Sequence, residues 1–590
     1  MKDFFKTLLA SCFGVILAVV AIFVILGGIA SAAVGLSGST ATASKGVLEL
    51  KFDQFIPEET NNIEVSPFDV TNTNTIGLRD IKRLIANAKT DDNIKAISLQ
   101  VQQTPNGAST LYDLTLALAD FRKSGKKIYT YIDYATQNAY MLASVSDMIM
   151  LNPNGEIDIR GYGAMVPFIK GMTDKIGVDF NIFYAGDFKS ATEPLRRTDM
   201  SPENKLQTRE FLQDRYDVLK NIIFNNRKIS ADKMEAIIRN SSGRTAERAL
   251  EADLVDKVGY KDEYEKIMAA ISQTSEGKVN YISMKNYFRT ATLTNPGSFS
   301  KKIAVVYAEG DISFGQKGKG MITDQEYIKI LSKLRNDDKV KAVVLRVNSG
   351  GGSAFTSDVI WREVELLKKA GKPVVASFGD YAASGGYYIA CGADKIFAAP
   401  NTLTGSIGVF SILPNFKKLM NDKLGITFDT VKTHPLSVFL STNYDLSERE
   451  KELLTESTNI IYSQFLNRVA KGRKMSLDSV KAVAGGRVWT GTRGVKNGLV
   501  DKIGTLEDAI AEAGKLAKVD DFKIVEYPFI TKELWEELFE NLMAPTSTED
   551  ASLKTIAKLF NSKEGKSFKA VINMMNQKEV QARLPFMIIE

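Results

Sequence analysis

Histidine and cysteine are almost missing from this chain of 590 residues, which has one histidine, His434, and two cysteines, Cys12 and Cys391. Two cysteines, one in an apolar N-terminal run and one in a core-like segment, exclude a disulfide framework, and neither stands near a metal-ligand spacing. A lone histidine argues against a multi-histidine metal site, so neither metal nor cofactor is expected. Charge of one sign is also lacking: 76 basic and 70 acidic residues are spread through the chain for a net +6. With no basic block or stripe, a nucleic-acid partner is not expected. Any catalytic base is therefore His434 or a residue of another type.

Long apolar runs are absent too, except at the start. From Leu8 to Val34 no residue is charged, and Lys2 and Lys6 precede the run. Crossing the hydrocarbon core takes about 20 apolar residues, which this stretch supplies. Ala30-Ser31-Ala32 resembles a cleavage site, but a cleaved leader has an apolar region of only about 7–15 residues. An uncleaved N-terminal transmembrane helix is expected, single-pass in the cytoplasmic (inner) membrane. The basic residues before it keep the N-terminus in the cytoplasm and put the catalytic part on the extracytoplasmic, periplasmic side.

What remains is too long for one core, and it repeats. Leu254-Val255-Asp256-Lys257-Val258-Gly259 returns as Leu499-Val500-Asp501-Lys502-Ile503-Gly504. Ser146-Asp147-Met148-Ile149 matches Ala393-Asp394-Lys395-Ile396, Gly125-Lys126 matches Gly371-Lys372, and Ile176-Gly177 matches Leu424-Gly425. The order is kept and the offset drifts only between 245 and 248 residues, the mark of a duplication. The expected division is an anchor and linker over 1–45, a first repeat over 46–299, a second over 300–520, and a helical extension over 521–590.

Each repeat alternates short apolar runs with helical stretches. Strands are expected at Ile303–Tyr307, Lys341–Val347 and Pro373–Ser377, and helices at Asp324–Leu334, after the glycine turn to Lys369, and from Ser384. This alternation predicts an α/β fold with parallel sheets flanked by helices. The loop from Gly315 to Gly320 lacks P-loop spacing and reads as surface. In the tail, Lys532–Met543 is amphipathic and precedes a linker-like Ala544-Pro545-Thr546-Ser547-Thr548.

Two motifs stand at strand ends, where parallel sheets place their sites. Arg346-Val347-Asn348-Ser349-Gly350-Gly351-Gly352-Ser353 offers backbone N–H groups that could hold an oxyanion, or is simply a flexible turn. Ala382-Ala383-Ser384-Gly385-Gly386-Tyr387 sets a serine among small residues at a helix start, either as a nucleophile or as a helix cap.

Together with Leu403-Thr404-Gly405-Ser406-Ile407-Gly408, these motifs resemble the signal peptide peptidase A family, also called protease IV, in its long two-repeat form. That family belongs to the Clp protease and crotonase-like superfamily, which implies two tandem repeats of that fold. Gly350 departs from the proline usual there. The resemblance implies a serine endopeptidase with Ser384 as nucleophile. It also implies a lysine base, carried in Gly186-Asp187-Phe188-Lys189. Lys189 must be neutral to act, so burial must lower its pKa. The Gly352 and Gly385 amides would form the oxyanion hole, with Gly351 as a further candidate, and Ser406 would orient the lysine. Expected partners are apolar peptides such as cleaved signal peptides, the membrane, and other copies of the chain in a homo-oligomer, a tetramer. The competing readings are a crotonase-type acyl-CoA enzyme and an inactive membrane-tethered scaffold.

The duplication bears on the same point. Ser384 corresponds to Gln137, the triple glycine to Thr104-Pro105-Asn106, and Lys189 to Ser437. Each repeat lacks what the other carries, so one site per chain, assembled across the repeats, is expected.

Overall fold

The computed structural model describes residues 45–62, 75–272, 278–291, 297, 300–315, 318–529 and 581–583. The expected anchor Leu8–Val34, Cys12 and the amphipathic stretch Lys532–Met543 lie outside the described residues. Among the described residues no helix is long and apolar enough to cross a membrane.

The chain is α/β, with two parallel sheets built to one plan. In the first repeat the strand order is 257–258, 148–158, 127–136, 94–100, 46–51, 281–283. In the second it is 502–503, 395–398, 374–383, 340–349, 302–309, 523–527. Strands that the sequence offset equates occupy the same positions, so the duplication is one of topology as well as of sequence. Residues 403–405 and 488–490 extend the second sheet beyond the upper part of 374–383.

Apolar runs make these strands because both faces of a parallel sheet are covered. Along Lys302–Glu309, Ile303, Val305 and Tyr307 pack towards the helix Leu506–Leu516. Ala304, Val306 and Ala308 face the opposite layer, where the helices Asp324–Asn336 and Ala354–Lys369 lie. This is the period-two alternation of a strand with a core on each side. The expected second-repeat strands and helices are all present. The tail differs: where a helical extension from 521 was expected, Lys523–Tyr527 is a strand on the edge beside Lys302–Glu309. A partly buried alternating run at an open sheet edge is better served by the ladder than by a helix.

The repeats are locked by polar groups that cross between them. The Asp380 carboxylate, from the second repeat, accepts the N–H groups of Ser109 (2.7 Å) and Thr110 (3.0 Å). It thereby caps the helix Ala108–Arg122, whose own Gly107 provides no side-chain cap. Arg346 donates to both oxygens of Glu58 at 2.8 and 3.0 Å, with both side chains buried.

A third sheet mixes the repeats, in the order 321–323, 311–313, 351–353, 581–583, 409–415, 179–185. Its last pair is antiparallel: first-repeat strand Asp179–Ala185 runs alongside Val409–Asn415 of the second. This pairing carries the first repeat's chain to the second repeat's site.

Candidate active site

Strand Val374–Ala383 ends at Ser384, and the helix Gly385–Ala390 starts directly after it. The turn between them is so sharp that Ser384 takes φ 55° and ψ −116°, a region costly for a residue with a Cβ. It is held there by its N–H, which donates to the Gly405 carbonyl at 2.8 Å, and by its own carbonyl, which accepts from Tyr388 at 2.8 Å. The Ser384 side chain makes no capping hydrogen bond, so the helix-cap reading fails. Its Oγ lies 2.7 Å from Lys189 Nζ and 3.4 Å from the Gly408 carbonyl oxygen.

Lys189 reaches that position because Asp179–Ala185 pairs with Val409–Asn415 and the loop Gly186–Lys189 turns back from the strand end. The loop is clamped by a glycine pair that the sequence reading passed over. Phe188 N–H donates to the Gly485 carbonyl at 2.9 Å. A Cβ on Gly486 would stand 2.6 Å from the Lys189 Cβ, so only glycine lets the two backbones approach this closely. Gln207 adds a strap: its Nε2 donates to the Phe188 carbonyl and to Ser190 Oγ, and its Oε1 accepts from Val488 N–H. Arg487 stacks between the Phe188 and Trp489 rings.

Ser384 and Lys189 are both 0% exposed. Burial pushes the Lys189 amine well below the usual lysine range, because the low-polarity surroundings penalise the charged form. Lys189 Nζ also lies 3.0 Å from Ser406 Oγ and 3.3 Å from the Ser406 carbonyl oxygen. Phe410 closes the apolar side, its ring centroid 5.9 Å from Nζ. The three side chains Ser384, Lys189 and Ser406 thus meet in one buried cluster.

The glycine turn lies on the other side of the serine. Gly352 pairs with Ile312, and a Cβ on it would stand 2.0 Å from the Ile312 carbonyl oxygen. The turn is therefore a built strand rather than a flexible linker. The Gly351 N–H donates to Ser349 Oγ at 3.2 Å, an interaction that ties that amide to its own turn. Gly385 is the first residue of the helix after Ser384.

His434 is exposed, in an irregular segment, with its backbone N–H donating to Ser437 Oγ; it takes no part in the cluster. Cys391 is buried and its thiol is pushed up to about 12 by burial, which leaves it inert. Gln137 opens the helix Gln137–Ala143 after strand Lys127–Thr136, at the position Ser384 has in the other repeat. Its amide is engaged by the backbone of Arg160 and Gly161. Among the described residues no group of acidic, histidine or cysteine side chains could hold a metal ion.

Residues 120–274 and 366–520 each match the model of peptidase family S49. The chain is 34% identical to Protease 4 of Haemophilus influenzae, over 82% of each chain. It is 35% identical to Protease 4 of Salmonella typhi, over 76% of this chain and 74% of that protein. With the chloroplastic serine protease SPPA of Arabidopsis thaliana it shares 30% identity, over 75% of this chain and 66% of that one. A solved ClpP1 mutant from Listeria monocytogenes is 15% identical, over 35% of this chain and 94% of that one, with a TM-score of 0.23.

Proposed function

Because this chain belongs to peptidase family S49 and is a serine peptidase, we propose that Ser384 is its nucleophile and Lys189 the general base. The observation that carries this reading is the 2.7 Å contact between two fully buried side chains from different repeats. Serine is a weak nucleophile until a base removes its proton. A lysine can be that base only when neutral, and burial favours the neutral form here.

The reaction is acyl transfer. Ser384 Oγ attacks the carbonyl carbon of the scissile bond as its proton passes to Lys189 Nζ. Negative charge gathers on the carbonyl oxygen, where the N–H groups of Gly352 and Gly385 receive it. The protonated Lys189 then delivers its proton to the departing amine nitrogen, the C–N bond breaks, and an ester to Ser384 remains. Lys189 next takes a proton from water as the water oxygen attacks the ester, and returns it to Ser384 when the acid leaves. The hydroxyl and carbonyl of Ser406 hold the amine on line through both halves.

Its substrates are apolar peptides, cleaved signal peptides among them. The Leu8–Val34 run anchors the chain in the cytoplasmic membrane with the peptidase outside, a reading supported by its length and by Lys2 and Lys6. Several copies assemble, as a tetramer. Supporting this, Met172 and Ile176 of one repeat and Leu424, Ile426, Phe428 and Val431 of the other are all exposed. A fluorophosphonate probe tests the site directly. It should label wild-type chain at Ser384 and leave Ser384→Ala unlabelled; no labelling of the wild type would defeat the proposal.

A further inference from the structure

Lys189 and Ser406 reach each other from different repeats, and one buried side chain is bonded to the chain beside each of them. Gln207 lies on the second turn of the helix Pro202–Arg227 and is 0% exposed. Its Nε2 donates to the Phe188 carbonyl at 3.1 Å and to Ser190 Oγ at 2.9 Å, so it grips the residues on both sides of Lys189. Its Oε1 accepts the Val488 N–H at 3.1 Å. Val488 pairs with Gly405, and the neighbouring Arg487 carbonyl accepts the Ser406 N–H at 2.7 Å. Both donors and the acceptor of one amide are thus engaged by the two segments whose side chains meet at Lys189 Nζ and Ser406 Oγ, 3.0 Å apart.

Both segments need holding. Ser406 has φ 48°, a strained value for a residue with a Cβ. Lys189 lies in no helix or strand, and a small tilt of its loop is carried to Nζ along a flexible four-carbon stem. The helix that bears Gln207 is itself fixed on both sides. The fully buried Glu193 carboxylate accepts from the Ser201 N–H, Ser201 Oγ and Asn204 Nδ2, which ties the helix start to the lysine loop. Asp214 accepts from Thr490 Oγ1 at 2.6 Å and Arg493 Nε at 2.7 Å, which ties the same helix to the second repeat. The duplication supplies a comparison. The helix Glu448–Arg473 has the same length, 26 residues, and the same kind of cap, Ser447 for Ser201. Aligning the two caps puts Leu453 where the first repeat has Gln207. That repeat also has Ser437 in place of Lys189, so the amide accompanies the lysine.

We propose that Gln207 is the positioning residue of the base: its amide holds the lysine loop and the strand behind Ser406 in register, and so fixes Lys189 Nζ against Ser384 Oγ. The inference rests on the reading of Lys189 as general base. The amide bonds the chain around the lysine rather than the reacting atoms. Its loss therefore acts on the chemical step through a misplaced base, and leaves peptide binding as it was.

Gln207→Met keeps the length of the side chain and removes all three hydrogen bonds. On a quenched peptide its kcat should fall about 10–10²-fold, the scale set by a catalytic group displaced by about 1 Å, with KM within about twofold of wild type. Labelling of Ser384 by a fluorophosphonate, which needs nucleophile and base but little of a peptide groove, should slow in step with kcat. The same substitution in a Lys189→Ala chain should change the residual rate by less than about twofold, since no base is left to misplace. A role confined to general stability would lower the rate equally in both backgrounds, and that result overturns the inference. Ser190→Ala removes one partner of the amide by deleting a single oxygen, and it carries the test if Gln207→Met folds poorly. It should lower kcat about threefold or more, again at unchanged KM. Wild-type kcat in the folded variants overturns the inference and leaves the Lys189 reading intact. Wild-type activity in Lys189→Ala would remove the base itself, and the positioning role with it.

Discussion

Lys189 and Ser384 stand 195 positions apart in the chain, in different repeats, and their Nζ and Oγ atoms lie 2.7 Å apart with no solvent reaching either. In the proposed mechanism a base from one repeat serves a nucleophile of the other, which makes each indispensable. Ser384→Ala should lower peptide hydrolysis by ~10⁴-fold or more. Lys189→Ala should cost at least about 10²–10⁴-fold, the usual worth of a positioned base. His434→Ala, an exposed residue, should leave kcat/KM unchanged. Steady-state kinetics on a quenched peptide check all three, and near-wild-type activity in Lys189→Ala would remove the lysine from the mechanism.

The buried amine also fixes a pH dependence. The proposed mechanism needs Lys189 neutral, so kcat/KM should rise with pH along a limb set by an apparent pKa well below the ordinary lysine value. Stability carries the same signature. With the folded-state pKa lowered, the unfolded chain binds a proton that the folded chain refuses, from the folded value up to about 10.4. Folding stability is therefore reduced at neutral pH and recovers as pH rises through that window. Lys189→Met, which has no such cost, should be inactive yet more stable than wild type at pH 7. Its advantage should shrink as pH approaches about 10.4, and thermal denaturation across pH measures it. A Met variant less stable than wild type at neutral pH would contradict the burial argument.

Gly486 governs where Lys189 stands. A methyl group there would meet the Lys189 Cβ, Cα and N at 2.6–2.7 Å, and backbone cannot swing away as a flexible side chain would. Gly486→Ala should displace the lysine loop, and a shift of about 1 Å at a catalytic group can cost ~10²-fold in rate. The loss should appear in kcat more than in KM, since Gly486 lies on the lysine side. A variant with wild-type kcat would show that the loop tolerates the shift.

How far the sequence reveals this site depends on how local each cause is. Strands such as Val340–Ser349 are legible because burial on both faces selects apolar residues, here the run Ala342-Val343-Val344-Leu345. The motif around Ser384 leaves nucleophile and helix cap both open, and Lys189 is picked out only by the resemblance to the signal peptide peptidase A family; the mismatched repeats then imply that the two meet. The pairing of Asp179–Ala185 with Val409–Asn415 leaves no local trace, since register between distant strands is set by the finished fold. The role of Gly485-Gly486 is steric and exists only once Lys189 lies over it. Lys523–Tyr527 is a five-residue run, too short for periodicity alone to separate strand from helix. Glu58 is an unremarked acid until Arg346 is placed beside it.

That Glu58–Arg346 pair yields the last prediction. Arg346 opens the glycine motif's strand end, and its guanidinium is shared between Glu58 and the second repeat's own Ser377 Oγ and Phe378 carbonyl, at 2.9 and 2.8 Å. Glu58 accepts two of its donors from across the repeat boundary. Both side chains are only 3% exposed, so neither charge can be rescued by water. Glu58→Ala should destabilise the chain by about 3–5 kcal/mol, because it leaves a guanidinium buried with part of its hydrogen-bonding capacity unmet. The double variant Glu58→Ala with Arg346→Met should recover much of that loss, since removing both charges also removes the cost of desolvating them. Denaturant unfolding of the four chains in the cycle measures the coupling. If the single and double variants are equally destabilised, the pair is not the lock between the repeats. A strong coupling would mean that the strand leading to Gly352 is held in place by a carboxylate of the repeat that also supplies Lys189.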